Sequence, residues 1–480
     1  MKTHNNRRIF SSKKTNLYTL TMLMAAGLIL SSCKGNPLPL GDAAESSVAS
    51  TKNATAPVTF WVATDTHYLD KDLQDGGAAF QAYVNGGDGK ILPYSDELME
   101  ALVYDTQQKK PGFLILSGDL TNNGEASSHK KLAEKLKRVE ASGTDVYVIP
   151  GNHDLNNPWA RSFTADKQVV AEHITPEDFT KLYSDFGYSE AISRDKDSLS
   201  YLVQAAPGLY LLMIDSSQYA NNESYGFPQT DGRILPSTLS WMDECAKLAA
   251  EKQASIITVM HHNLLSHTSM SVSGFKLNNS QETMKTLRKD GLNLVLSGHI
   301  HMQDIARDPD PTTDGTAGSG DPPVYDIATS AMAVNPHQYG AMRFDPATRA
   351  VTYHTAAVDV EGWAKATGNT DPHLMAFKSY AEGVFAGQSY NKAMARLKDS
   401  TFSESEKQSM AEVMARLNVN YFAGTAGSAL DEIKSMPGYA LWMGMDGGFM
   451  SGYIQSMAQD KVLSNVSLEM VLTQPKSLPQ

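Results

Sequence analysis

The chain has 480 residues, 41% of them hydrophobic and 20% charged, and carries a formal net charge of −12. This is the composition of a globular protein, and the length exceeds what a single core usually organises, so a large domain with an appendage is expected. The acidic balance excludes a surface built for duplex nucleic acid, which needs clustered basic charge.

The N-terminus reads as a targeting segment. Lys2, Arg7, Arg8, Lys13 and Lys14 precede an apolar stretch, Leu17 to Leu30, that is too short to span a membrane comfortably. Ending in Leu30-Ser31-Ser32-Cys33, it is similar to a bacterial lipoprotein signal. The resemblance implies a signal peptide over 1–32, lipidation of Cys33 and an extracytoplasmic, membrane-anchored protein. Cleavage there would remove five of the 41 Lys/Arg, leaving 36 against 53 acidic residues, a net charge of −17. Cys245 is then the one cysteine besides Cys33, so no intrachain disulfide forms; its helical surroundings mark it as a small buried residue. Residues 33–57, rich in small residues and Pro, read as a flexible tether.

From Val58 to about 360, short apolar runs alternate with amphipathic stretches such as Ser128 to Ala141, Pro176 to Phe186, Pro236 to Gln253 and Ser280 to Asp290. This alternation predicts a layered α/β domain over 58–360. Asp308 to Pro323 is a surface loop, and Val324 to Val360 supplies late strands with a turn at Asp345-Pro346. The pattern then changes. Pro372 to Ala386, Tyr390 to Lys398, Ser403 to Ala423 and Ala426 to Met436 have helical spacing, and Gly452 to Ala458 continues it. Residues 365–480 are expected to form a mostly helical C-terminal domain. The Met-rich part from Met436 to Met457 reads as core packing.

Six of the apolar runs end in potential metal ligands. Asp65 and His67 follow the first, Gly118-Asp119 the second, and Gly151-Asn152-His153-Asp154 the third. Asp215, His261-His262 and Gly298-His299-Ile300-His301 follow the others. In an open α/β sheet the carboxyl ends of strands converge on one crevice, so these residues are expected to meet. Mixed carboxylates, an amide and imidazoles suit a pair of transition-metal ions.

In this order the blocks resemble the calcineurin-like metallophosphoesterase signature, over roughly Val58 to His301. The resemblance implies a layered β-sandwich flanked by helices. By matching position it implies one metal held by Asp65, His67, Asp119 and His301. It implies a second held by Asp119, Asn152, His261 and His299, with Asp119 bridging. The ions would be Mn, Fe, Zn or Co. A hydroxide generated between them would attack phosphorus, with His153 facing the substrate and assisting the leaving group. His261 matches the ligand position; His262 is the alternative, and otherwise supports the ligands or faces substrate. Asp154 is expected to orient His153. Asp215 falls outside the signature and reads as structural. Asn123 and Glu125 read as helix caps, and Asn335 to Gly340, with His337 and Tyr339, as either a structured loop or a pocket wall.

Within the family the motifs look most like cyclic-nucleotide and glycerophosphodiester phosphodiesterases. The lipoprotein signal and helical extension resemble a bacterial group of secreted cyclic-nucleotide phosphodiesterase-like proteins. The implied activity is hydrolysis of a small phosphoester, with cyclic nucleotides as the favoured substrate. Phosphomonoesterase and cell-envelope phosphodiesterase activities are the alternatives, and a non-catalytic lipid-anchored binding protein ranks below them. The helical domain is a candidate surface for a homodimer.

Overall fold

A computed structural model describes residues 56–270, 272–308, 322–445, 449–458 and 464–476. The signal peptide, Cys33, nearly all of the tether and most of the Asp308–Pro323 loop lie outside the described residues. Among the described residues no helix is long and apolar enough to cross a membrane.

In chain order the elements begin with β1 (Val58–Ala63), α1 (Ala78–Gly86), α2 (Ser95–Lys109), β2 (Phe113–Leu116), α3 (Ala126–Glu140) and β3 (Asp145–Val148). A hairpin of β4 (Arg161–Thr164) and β5 (Lys167–Val170) leads to α4 (Pro176–Leu182), β6 (Ser193–Arg194), β7 (Tyr201–Ala206) and β8 (Leu209–Ile214). Then come α5 (Asn222–Tyr225), α6 (Pro236–Glu251), β9 (Ser255–Met260), α7 (Ser280–Asp290), β10 (Leu294–Ser297) and β11 (Asp304–Asp308). After β12 (Val324–Ala328), β13 (Gln338–Asp345) and β14 (Ala350–Ala357) the chain turns helical: α8 (Val360–Thr367), α9 (Pro372–Met375), α10 (Phe377–Leu397), α11 (Glu404–Phe422), α12 (Ala426–Ser435), α13 (Pro437–Met443) and α14 (Phe449–Ala458). It closes with β15 (Ser467–Val471).

Two mixed sheets form the scaffold, in strand orders β15-β14-β13-β1-β2-β3 and β11-β12-β10-β9-β8-β7-β6. The central pairs β1/β2/β3 and β8/β9/β10/β12 are parallel, and antiparallel strands flank them. The central strands read as unbroken apolar runs because they are buried on both faces, as Phe113–Leu116 and Ser255–Met260 are. One core draws on both sheets, through Phe60, Val62, Leu114 and Val146 of the first and Val203, Leu211, Ile257 and Leu294 of the second. On the second sheet, Tyr210, Leu212, Ile256 and Val295 also pack with Trp241, Met242 and Cys245 of α6. Cys245 is buried as expected, and burial raises its thiol pKa.

The C-terminal region departs from the expected pattern in two places. Two expected helices, Pro372 to Ala386 and Tyr390 to Lys398, are instead a short α9 and one continuous α10 running through Gly383 and Gly387. A mid-helix glycine costs about 1 kcal/mol, less than the packing of Phe377, Ala381, Phe385, Ala393 and Leu397 supplies. The region also does not remain helical: β15 pairs antiparallel with β14 and extends the first sheet. The amphipathic faces are covered within the chain, where α10–α14 share a core with Ile300, Met302 and Ala328. Met457 is buried in that core, and Met436, Met443, Met445 and Met450 pack against it half-buried.

Candidate metal centre

The strand-end residues converge. Asp65 and His67 follow β1, Asp119 follows β2, Asn152 and His153 follow β3, His261 follows β9, and His299 and His301 follow β10. Parallel pairing puts these carboxyl ends on one edge. Asp65 N–H donates to the Gly118 carbonyl and Gly298 N–H to the His261 carbonyl, each at 3.0 Å, which ties neighbouring loops together.

The backbone is bent to aim these side chains. Asp65, His67, Asp119, His299 and His301 all have positive φ, between 39° and 71°. For non-glycine residues this conformation is uncommon and costs about 1–3 kcal/mol each. Gly151 is required by closeness: a Cβ there would lie 2.2 Å from the Asp119 backbone nitrogen.

Two clusters result. Asp65, His67 and His301 place ligand atoms within 4.8 Å of one another, and so do Asp119, His261 and His299. In the first, His67 Nε2 and His301 Nε2 are 3.0 Å apart, and His301 Nε2 is 3.2 Å from Asp65 Oδ1. In the second, His261 Nε2 lies 3.2 Å from Asn152 Oδ1 and 3.3 Å from Asp119 Oδ2. The other nitrogen of His261 is held by the Ser117 carbonyl, and His299 Nε2 by the Gly274 carbonyl. Asp119 Oδ2 is also 3.8 Å from His67 Nε2, so it lies between the clusters, while Asp119 Oδ1 accepts from the His153 N–H at 2.8 Å.

This donor set fits cations. Asp65 Oδ1 is buried and receives no well-aligned hydrogen bond although His301 is near. The two facing Nε2 atoms of His67 and His301 can share at most one proton. Burial would raise the Asp65 and Asp119 carboxyls, but His261 and its neighbours hold both well below the usual range. Against burial, Asp119 and Asp65 push His261 up to about 9. Burial takes His67 and His299 down to about 4. A bound cation would supply the positive charge that these carboxylates otherwise draw from a proton on His261.

The remaining candidates separate. His262 Nδ1 is 2.8 Å from Ser216 Oγ and its Nε2 is 3.2 Å from the Thr230 carbonyl, so neither nitrogen is free for a metal. Its ring lies behind His299, with centroids 4.4 Å apart. Asp215 accepts from Ser217 N–H, Leu199 N–H and Tyr219 O–H, a purely structural set. His337 is buried against Phe377 and bonded to the Met332 carbonyl, while Tyr339 stacks on Trp61. The Asn335–Gly340 segment is therefore structural: a short turn through His337 that enters β13 at Gln338.

Asp154 does not orient the His153 ring. Its carboxylate accepts from the N–H groups of Leu120, Thr121 and Gly151, stapling the Asp119 loop to the Asn152 loop. Asn123 takes the orienting place, with Oδ1 2.9 Å from His153 Nδ1 and Nδ2 donating to Tyr83 O–H. Glu125 stands at the start of α3 without capping it, because its carboxylate turns back to accept from Asn123 N–H. No sequence signal pointed to Tyr83, whose α1 lies outside every motif.

A family model described as calcineurin-like phosphoesterase matches residues 58–303. A second, described as the C-terminal domain of cyclic nucleotide phosphodiesterase, matches residues 359–463. A probable cyclic nucleotide phosphodiesterase from Synechococcus sp. is 26% identical over 204 residues, 42% of this chain and 62% of that protein. A cAMP/cGMP dual specificity phosphodiesterase from Mycobacterium tuberculosis is 23% identical over 223 residues, 45% of this chain and 58% of that one. The chain thus spans about six tenths of the length of these curated relatives. Among solved structures, a dimetal phosphatase from Danio rerio aligns with a TM-score of 0.43 at 16% identity, covering 62% of this chain and 96% of that one. Since the matched segment 58–303 takes in more than half of the 480 residues and every strand end of the site, the chain belongs to the calcineurin-like phosphoesterase family.

Proposed function

We propose that this chain is a dinuclear metal-dependent phosphodiesterase whose substrates are cyclic nucleotides. The observation that carries the reading is the position of Asp119 Oδ2, 3.3 Å from His261 Nε2 and 3.8 Å from His67 Nε2, which lets one carboxylate serve both clusters. Asp65, His67, Asp119 and His301 would hold one cation, and Asp119, Asn152, His261 and His299 the other, from among Mn, Fe, Zn and Co. When bound, paired cations supply Lewis acidity toward phosphoryl oxygens and lower the pKa of water.

The chain's own residues supply the rest. Asn123 Nδ2 donates to Tyr83 O–H at 3.1 Å, so Asn123 Oδ1 faces His153 and accepts from its Nδ1–H. That bond fixes the ring and leaves His153 Nε2, 4.0 Å from Asp119 Oδ2, to hold or move a proton at the leaving oxygen. Asp154 keeps the His153 and Asp119 loops in register. The choice of cyclic nucleotides is supported by the names of two relatives and of the C-terminal family model, which belong to those proteins and not to this one.

The test is a substrate panel on purified, metal-loaded protein. Cyclic nucleotides and bis(p-nitrophenyl) phosphate are expected to be cleaved faster than p-nitrophenyl phosphate and glycerophosphodiesters. A preference for monoesters would move the assignment to a phosphomonoesterase, and no cleavage of any ester would reject the enzymatic reading. We also propose that Cys33 carries a lipid, on the strength of residues 1–33 alone. Labelled palmitate should enter the wild-type chain in a bacterial host and not Cys33→Ser; equal labelling contradicts it.

A further inference from the structure

One cationic side chain, on a loop tied through the backbone to Asp65, has no role in holding the clusters. Lys90 lies in the loop between α1 and α2, and its side chain is 10% exposed. The loop is pinned to the site: Lys90 bridges to Val334, Ile91 N–H donates to the Ala333 carbonyl, and Ala333 N–H donates to the Asp65 carbonyl. Among the described residues its ion-pair partner is Asp88, with Nζ 3.4 Å from Oδ2. An ammonium carries three donors, so this one contact leaves two to spare.

A buried ammonium is costly unless compensated. Beside two sites that each bind a cation, it is more costly still. Asp65 and Asp119 are the only carboxylates in the two clusters, so two divalent cations leave the site with net positive charge. A further cation there is favourable once an anion joins it. The loop is also braced from outside. Phe385 of α10 lies so close to Gly89 that a Cβ would come within 2.7 Å of its ring, and Gln388 Nε2 donates to the Val84 carbonyl. Gly89 has φ +105°, a conformation that favours glycine.

We propose that Lys90 is a substrate-binding residue whose ammonium contacts a non-bridging oxygen of the phosphoester, with Asp88 orienting it and α10 bracing its loop. The inference rests on the phosphoesterase reading and gives the C-terminal helices a part in the site. It also implies that the substrate presents a second anionic oxygen away from the clusters, as phosphoesters do.

The test measures inorganic phosphate binding to the metal-loaded full chain by calorimetry, beside metal content and kinetics on bis(p-nitrophenyl) phosphate. Lys90→Gln is expected to weaken phosphate binding about 10- to 100-fold, the worth of a hydrogen bond to a charged group. KM should rise more than kcat falls, metal content should stay at the wild-type level, and Lys90→Arg should recover most of the affinity. Unchanged phosphate affinity in Lys90→Gln, or affinity lost only together with metal, overturns the proposal, as does a wild-type protein that binds no phosphate. If Lys90→Gln does not fold, the wild-type protein gives the answer: phosphate should shield Lys90 and not Lys109 from reductive methylation, and equal labelling overturns it. Wild-type protein that binds phosphate yet cleaves no ester rejects the enzymatic reading alone, and Lys90 is still judged by the phosphate isotherms.

Discussion

Asp119 does a different job with each of its two oxygens. Oδ1 accepts the His153 backbone N–H, Oδ2 sits between His67 and His261, and a positive φ of 48° aims the carboxylate. Asp119→Ala should therefore lower phosphodiester hydrolysis by about 10³-fold, as loss of a central electrostatic group does, and should lower metal content in elemental analysis. Retention of activity with both metals bound would count against the bridging role. Gly151→Ala tests the packing beneath it. Its Cβ would meet the Asp119 backbone nitrogen, so urea denaturation should show a loss of about 1–3 kcal/mol. The residues that converge on the two clusters were legible in the sequence because strand ends concentrate them and their types suit metal chemistry. That His261 joins the cluster and His262 does not shows only in where their nitrogens point. The orienting role of Asn123 was not legible, since it depends on Tyr83 meeting it across the fold. Asp154 was misread for a related reason: adjacency in sequence to His153 says nothing about which way a buried carboxylate faces.

Among elements, the central strands and most helices were readable from apolar runs and helical spacing, and α7 has the expected bounds Ser280–Asp290. Short edge strands such as β6 and β11 were not, because two to five residues carry too little pattern. Helix α10 was split in error at Gly387, although nothing lies within 4 Å of a Cβ built there. Gly387→Ala should accordingly stabilise the protein by about 0.5–1 kcal/mol, measured as a higher denaturation midpoint. A second clamp joins the segment after β9 to the strands beyond β10: His267 Nδ1 is 2.7 Å from Asp304 Oδ2, and its Nε2 is 3.1 Å from Asp326 Oδ2. Burial lowers the His267 pKa, but the two carboxylates raise it to about 10. A folded pKa above the unfolded value of about 6.5 gives stability that is complete below pH 6.5 and is lost as pH rises through 10. Chemical denaturation across that window should show a falling stability in the wild type and a smaller fall in His267→Gln. Parallel slopes would place the clamp elsewhere.

At the scale of the whole molecule, the described residues between 56 and 476 belong to one compact unit. The change in sequence pattern near residue 360 marks a change of architecture without freeing the helices from the sheets. The helices cover Ile300 and Met302, neighbours of His301, and β15 completes the edge beside β14. A chain ending at residue 360 should thus expose apolar surface and aggregate, which light scattering would detect; a soluble monomer of that length retaining bound metal would show the helices to be dispensable. A strand at the far end of a helical run cannot be inferred from local spacing, since its partner β14 lies more than 100 residues earlier. Whether one carboxylate joins two metal sites can be read from anomalous diffraction of crystals grown with Mn²⁺. Two peaks about 3.5–4 Å apart are expected, one ligated by Asp65, His67, Asp119 and His301, the other by Asp119, Asn152, His261 and His299. A single peak, or peaks that leave Asp119 out of either site, would contradict it.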